Sequence, residues 1–388
     1  MSRYHAYLKK AVAILQAYKG QEPFSIFCKQ QFSLDRKMGS TDRRWVRHYC
    51  YCYFRMGKAV CFTSAEERIL AGLFLCNKTE DALLAQERPE WNLAIHKSIT
   101  EKLLMIDQHS LIDQVFPYRQ WLSASLKDSP WTMSLWEQPA LFIRLRPGKE
   151  QQVRDALKAQ SISFESLEES TLRLPATTAL TSWPGLNRDF VIQDLSSQHI
   201  GSMLSLLPVE SKANCWDCCA GSGGKTLLAY DVLGPIHFTV SDKRPSILQQ
   251  LENRFAQAAI TDYRSRMLDL SRPLPTGFSD NFSFIWADVP CTGSGTWSRT
   301  PEQLCFFQPT SISDLQQLQR SILHTALQRL QPNGYLLYST CSVFFQENEE
   351  QIVWLEKEMG LECIQQQLFD GSSKQADSLY AALLKKRV

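Results

Sequence analysis

Asp217-Cys-Cys-Ala-Gly-Ser-Gly-Gly-Lys-Thr226 is the stretch on which the fold turns. It closes an apolar run over 213–217 and opens a helical stretch over 225–232. Glycines placed here let a backbone approach a ligand, and the N–H groups of a helix start offer donors to polar or anionic atoms. Outward from this point the same pattern repeats. Strand candidates lie at 213–217, 237–242, 282–288 and 335–339, with helical stretches at 245–258, 311–330 and 347–358 between or after them. Along 311–330, Leu315, Leu318, Ile322, Leu323, Ala326, Leu327 and Leu330 form an apolar stripe that reads as core. Strands alternating with helices predict an α/β fold with a parallel, doubly wound sheet. Such sheets bind ligands beyond the carboxyl ends of their strands.

Upstream, the texture differs. A strand over 140–146, a helix over 149–159 and short alternating pieces at 162–167 and 171–174 suggest a small α/β module, which Phe190-Val-Ile-Gln-Asp194 ends. Leu195 to Leu207 reads as one helix. Residues 1–130 read as helical, with helices over 7–17, from Thr41, and over 64–75. Ser64 followed by Glu67 is a capping box. Three domains are expected: 1–135 helical and basic, 136–194 the small module, and 195–388 the glycine-loop domain.

The chain has 388 residues and a net charge of +2. Residues 1–60 carry 12 Lys/Arg against 3 acids, net +9, which leaves −7 on the rest. A basic arm on an acidic body suits a polyanionic partner, either a nucleic acid or an anionic membrane surface; a solvated basic face is the bland alternative. No apolar run reaches the length of a membrane span, and no signal-peptide pattern opens the chain. A cytoplasmic location is therefore expected, and the twelve cysteines are expected as thiols rather than disulfides. Cys215-Trp-Asp-Cys218 lacks a second ligand pair, so no metal is expected.

Gly224-Lys225-Thr226 matches the end of a Walker A loop, but that loop's first glycine would fall on Cys219. A nucleotide hydrolase is the weaker reading. Asp242, 18 residues after Gly224, ends the next strand, where an acid binds ribose hydroxyls. Asp288-Val-Pro-Cys291-Thr-Gly-Ser-Gly295, continuing to Arg299-Thr-Pro-Glu302, follows a third strand. Tyr338-Ser-Thr-Cys341-Ser, then Gln346-Glu-Asn-Glu349, follows a fourth. Both motifs set a cysteine just past a strand end, on the ligand-binding edge, where a thiol can serve as a nucleophile.

Together the three motifs resemble the RsmB/Sun (NSUN-type) family of RNA 5-methylcytosine methyltransferases. The family pattern D-x-C-A-x-P-G-x-K-T is similar to Asp217–Thr226, with Ser222 where proline is usual. Gln193-Asp-Leu-Ser-Ser-Gln198 and Gly39-Ser-Thr-Asp-Arg-Arg44 resemble further family segments. Arg144-Leu-Arg146 departs from the family's R-V-N, and the tail over 376–384, taken as a final strand, departs from its D-G-F-F ending.

The resemblance implies a Rossmann-like class I methyltransferase domain, an RRM-like subdomain and an all-helical, RNA-binding N-terminal domain. It implies S-adenosyl-L-methionine as cofactor, held by Cys219, Ala220, Gly221, Ser222, Gly223, Gly224 and Lys225, by Asp242 on the ribose, by Asp269 near the adenine and partly by Asp288. Asp269 also reads as a cap on the following turn. Lys225 is a candidate partner for the cofactor carboxylate and Arg299 for an RNA phosphate; both equally suit surface ion pairs. Cys341 is implied as the nucleophile on cytosine C6, Cys291 as the aid to its release, and Asp288 as the stabiliser of the base. The acceptor of the C5 proton stays open between Cys291 and a water. Ribosomal RNA is the expected substrate, transfer RNA the alternative, and a silent RNA-binding module a further one. A monomer is expected.

Overall fold

The computed structural model describes residues 2–35, 38–106, 110–234 and 236–387. Arg36 and Lys37 of the basic arm lie outside them. The chain divides into two compact units. One comprises Met1–Leu122, Lys127–Gln138 and Thr296–Gln308; the other comprises Ser123–Leu126, Pro139–Gly295 and Pro309–Val388.

The first unit is helical. Its longer helices are Arg3–Ala17, Phe24–Leu34, Ser40–Phe54 and Ala65–Cys76, closed around Phe24, Tyr49, Phe54 and Phe74. The Ser64 hydroxyl accepts the Glu67 N–H at 3.1 Å, as a cap should. The expected return bond is not the one made, because the Glu67 carboxylate takes the Thr63 hydroxyl at 2.7 Å. Two cations of the basic arm are structural. Arg55 is buried and donates to the carbonyls of Leu135, Glu137 and Ser298 at 2.7 Å each. Lys58 donates to the carbonyls of Cys305 at 2.9 Å and Phe307 at 2.7 Å. The segment 296–308, which lies mid-way through the expected third domain, thus forms part of the helical unit.

The second unit holds two sheets. Strands β1 (Leu141–Leu145), β2 (Glu165–Glu168), β3 (Thr171–Leu174) and β4 (Phe190–Ile192) form a four-stranded sheet in the order β2-β3-β1-β4, with every pairing antiparallel. The helix Glu150–Ala159 packs Val153 and Leu157 into its core. The large sheet contains β5 (Cys215–Asp217), β6 (Phe238–Asp242), β7 (Tyr263–Met267), β8 (Phe282–Asp288), β9 (Leu330–Thr340), β10 (Leu361–Asp370) and β11 (Ser378–Lys386). Its order is β10-β11-β9-β8-β5-β6-β7. The five strands from β9 to β7 run parallel, and β11 and β10 add an antiparallel edge. Successive residues of β5 face opposite layers: Cys215 packs beside Ile200, Leu228 and Phe284, and Trp216 beside Phe282, Leu323 and Tyr338. The chain leaves β5 toward β6 on one side and returns to β8 on the other, which makes the β5/β8 boundary the topological switch point.

Two expected elements change. Leu195 to Leu207 is two short helices, Leu195–His199 and Gly201–Leu204, rather than one. The long helix runs Thr310–Leu327, and Leu330 belongs instead to the start of β9. Arg144 and Arg146 both pair with Asp231 of the helix Gly224–Leu233; Arg146 Nη2 lies 2.9 Å from its Oδ1. Arg144 Nε also reaches Gln193 Oε1 at 2.7 Å. These arginines fasten the small sheet to the large one. Among the described residues, no helix is long and apolar enough to cross a membrane.

Candidate active site

The glycine loop leaves β5 and enters the helix Gly224–Leu233 at the switch point. Ala220 N–H donates to Ser241 O at 2.9 Å, which anchors the loop to β6. Gly223 has φ +80°, and a Cβ there would meet Leu251 Cγ and Phe255 Cε1 at 2.9 Å, so the turn requires glycine. Gly221, at φ +54°, has nothing within 4 Å of where a Cβ would project. Its backbone lines an open cradle. The Ser222 hydroxyl accepts from Arg254 Nη1 at 3.3 Å.

Two cavities share Cys219, Gly221 and Asp288. One, of about 300 Å³, is walled by Leu268, Leu270, Val289, Leu318 and Ile322 and bordered by Asp242 and Asp269. The other, of about 210 Å³, adds Gln193, Ser197, Ala220, Ser222, Gly224 and Lys225. An apolar slot beside an acid at a strand end, opening on bare loop backbone, fits an adenosyl group with an amino-acid tail. A further cavity, of about 620 Å³, is lined by Arg146, Tyr230, Ile260 and Asp262, at the opposite ends of β6 and β7. It contains no residue of the glycine loop or of the two cysteine motifs.

Asp242 accepts the Gly221 N–H at 3.2 Å and is gripped by the Arg244 guanidinium through two 2.9 Å bonds. Burial pushes its carboxyl up, but Arg244 and the backbone donors outweigh that and hold it below the ordinary range. Asp269 caps the turn after β7 through Ser271 N (3.1 Å) and Oγ (2.6 Å), so the cap reading holds, and it also borders the larger of the two site cavities. Its carboxyl is lowered by those Ser271 bonds.

Asp288 ends β8. Its Oδ2 pairs with Lys225 Nζ at 2.7 Å, and its Oδ1 accepts from Ser339 Oγ of β9 at 2.8 Å. Burial lowers the Lys225 ammonium, yet Asp288, followed by Cys341 and Asp217, raises it overall, so the cation persists in the pocket. Lys225 is therefore an internal ion-pair partner rather than a surface one. The loops after β8 and β9 bring Cys291 and Cys341 together, with Sγ atoms 3.3 Å apart. Gly295 N–H donates to Cys341 O at 2.8 Å, and a Cβ on Gly295 would fall 1.8 Å from Ser378 O, so only glycine fits that crossing. The next residue, Thr296, starts the segment that belongs to the helical unit, and Arg299 and Glu302 lie there.

Some functional neighbours escape sequence reasoning. Ser339 stood inside a quoted motif with no role attached. Gln193 and Ser197 come from a segment that ends before the glycine loop. Gln319 sits on a helix otherwise read only for its apolar stripe. Among the described residues, no group of three His, Cys, Asp or Glu is placed to hold a metal ion.

Residues 203–383 match the family model of the 16S rRNA methyltransferase RsmB/F. A probable ribosomal RNA small subunit methyltransferase B of Synechocystis sp. is 28% identical over 264 residues, covering 64% of this chain and 58% of that protein. The mouse tRNA (cytosine(72)-C(5))-methyltransferase NSUN6 is 29% identical over 175 residues, covering 42% of this chain and 36% of that one. The chain thus spans less than two thirds of either relative. The crystal structure of NSun6 from Pyrococcus horikoshii with SFG shares the fold, with a TM-score of 0.56 at 15% identity over 64% of this chain and 91% of that one. Over residues 203–383, this chain is similar to the RsmB/F family of 16S rRNA methyltransferases.

Proposed function

We propose that this protein is an S-adenosylmethionine-dependent RNA (cytosine-5-)-methyltransferase acting on ribosomal RNA. The observation that carries the reading is the 3.3 Å meeting of Cys291 and Cys341 beside the Asp288–Lys225 pair at the rim of the glycine cradle. The description of the matching family model, which names 16S rRNA, supports ribosomal RNA over transfer RNA.

S-adenosylmethionine, when bound, supplies an electrophilic methyl group. In this reading the 219–225 loop holds its amino-acid part, Asp242 takes the ribose as Arg244 yields, and Asp269 borders the adenine. C5 of cytosine is a poor nucleophile until the ring's aromaticity is broken. The Cys341 thiolate adds to C6, forming an S–C6 bond and shifting electron density to C5 and onto N3 and O2. Asp288, fixed by Lys225 and Ser339, hydrogen-bonds the N3/N4 edge and stabilises that charge. After C5 is methylated, loss of the C5 proton and cleavage of the S–C6 bond restore the ring. Cys291 assists that release. The target base must leave its stack to enter the pocket, which favours loops or single strands.

Bisulfite sequencing of RNA from cells lacking the protein tests the substrate. Loss of one ribosomal RNA methylcytosine is expected, and loss confined to transfer RNA would overturn the ribosomal reading. Cys341→Ala is expected to abolish transfer while cofactor binding persists, and Cys291→Ala to accumulate a protein–RNA adduct on denaturing gels. Retained activity in the first variant would refute the nucleophile.

A further inference from the structure

Trp286 lies two residues before Asp288 on β8, so both side chains leave the same face of the sheet. Ser339 is the partner of Asp288 across the β8–β9 ladder and leaves that face as well. Trp286 and Ser339 are fully buried. The indole belongs to the apolar layer that holds Cys215, Phe284 and Leu337, but its nitrogen is not idle there. Trp286 Nε1 donates to Ser339 Oγ at 3.0 Å, and Ser339 Oγ in turn donates to Asp288 Oδ1 at 2.8 Å. The chemistry above uses the second bond and gives no part to the first, or to the tryptophan that makes it.

We propose that Trp286 is a positioning residue, which aims the Ser339 proton at Asp288 and thereby sets the plane of the carboxylate that meets the cytosine. The proposal rests on the methyltransferase reading and deepens it. An indole N–H can only donate, so Ser339 Oγ accepts in that bond. A serine hydroxyl has one proton to give. With Trp286 occupying one side of Oγ, that proton is turned toward Asp288.

Without the indole bond, the O–H turns freely about Cβ–Oγ, and the carboxylate is left to Lys225, which reaches Oδ2 at 2.7 Å. An ammonium is a compact charge with rotating donors, so it holds a carboxylate close without fixing its plane. One bond to each oxygen, from two different segments, fixes both. A base that meets the carboxylate edge-on during reaction depends on that plane. The indole acts on the base only through Ser339 and Asp288. The competing account is packing: a buried tryptophan fills the core whether or not its nitrogen is bonded.

Single-turnover methyl transfer from tritiated S-adenosylmethionine to total RNA of cells lacking the protein separates the two accounts. In Trp286→Phe, which keeps an apolar ring and loses the donor, the rate at saturating enzyme is expected to fall about tenfold, the order of one hydrogen bond to a charged group. The enzyme concentration giving half that rate is expected to stay within about twofold, because phosphate contacts dominate RNA affinity. Ser339→Ala is expected to lose at least as much. The double variant is expected to be no slower than Ser339→Ala, since the indole acts through the hydroxyl. A Trp286→Phe rate equal to the wild type would overturn the proposal. So would a double variant slower than Ser339→Ala by the whole Trp286→Phe factor, which is the mark of packing. Should Trp286→Phe fail to fold, Trp286→benzothienylalanine, which has the outline of indole with sulfur in place of N–H, takes its place in the same comparison. A wild type that transfers no methyl group to this RNA would refute the methyltransferase reading itself, whereas an unaffected variant of an active enzyme removes only the role of Trp286.

Discussion

Asp217 ends β5 with its carboxylate buried and one oxygen holding the Thr226 hydroxyl at 2.6 Å. Burial drives its carboxyl up to about 7, with Asp288 adding to the rise and Thr226 and Lys225 opposing it. The folded chain thus keeps a proton there that the unfolded chain releases near the ordinary 3.8. The stability tied to that proton is complete below 3.8 and is lost as the pH rises through about 7. Asp217→Asn, which has no such proton to lose, is expected to melt at a more nearly constant temperature between about pH 5 and about pH 8 than the wild type. An unchanged pH profile in the variant would show the proton to sit elsewhere. Residue identity was the most legible layer of this site. Asp288, Cys291 and Cys341 could be named because each follows a strand end within a short motif. The tasks of Ser339 and Gln319 could not, because each is defined by a partner on another segment: Gln319 lies 28 positions from Glu347, and Ser339 lies 51 from Asp288.

Elements were legible in proportion to how much of them is buried. The four strands expected from apolar runs are the central ones, β5, β6, β8 and β9, where both faces meet other layers. Edge strands hide their pattern. In β7, Tyr-Arg-Ser-Arg-Met has mostly exposed side chains, and in β10 the run Gln365-Gln-Gln367 is exposed. Helix ends were read too far, since Leu330 continues the apolar stripe in sequence while the backbone has already turned into β9. The join between the two sheets was invisible, because Asp231 carries no motif. Its side chain is 6% exposed and serves two arginines, one of them also 6% exposed. Asp231→Ala leaves both guanidinium groups without their counter-charge and is expected to cost about 3–5 kcal/mol in urea unfolding. A loss below about 1 kcal/mol would mean that the pair is solvated.

At the scale of the molecule, a net +9 over residues 1–60 divides into two kinds of cation. Arg44 and Arg47 are exposed on the helix Ser40–Phe54, whereas Arg55 and Lys58 spend their donors on carbonyls. Arg44→Gln with Arg47→Gln is expected to lower the slope of log RNA affinity against log salt by about 1 to 2 and leave the melting temperature unchanged. Arg55→Gln is expected to lower the melting temperature instead. A slope unmoved by the double variant would remove these two residues from the RNA footprint. Arg55 also bears on how the chain is made. The helical unit draws its last segment, 296–308, from far along the polypeptide; the Phe24 N–H finds its Glu302 acceptor 278 residues later. Amino-terminal units ordinarily finish folding first as a chain leaves the ribosome. Here the last segment of the first unit is translated only after strands β1 to β8 and before β9 to β11. A nascent chain halted before residue 296 would hold Arg55 with its Ser298 partner not yet synthesised and Lys58 with neither of its carbonyls.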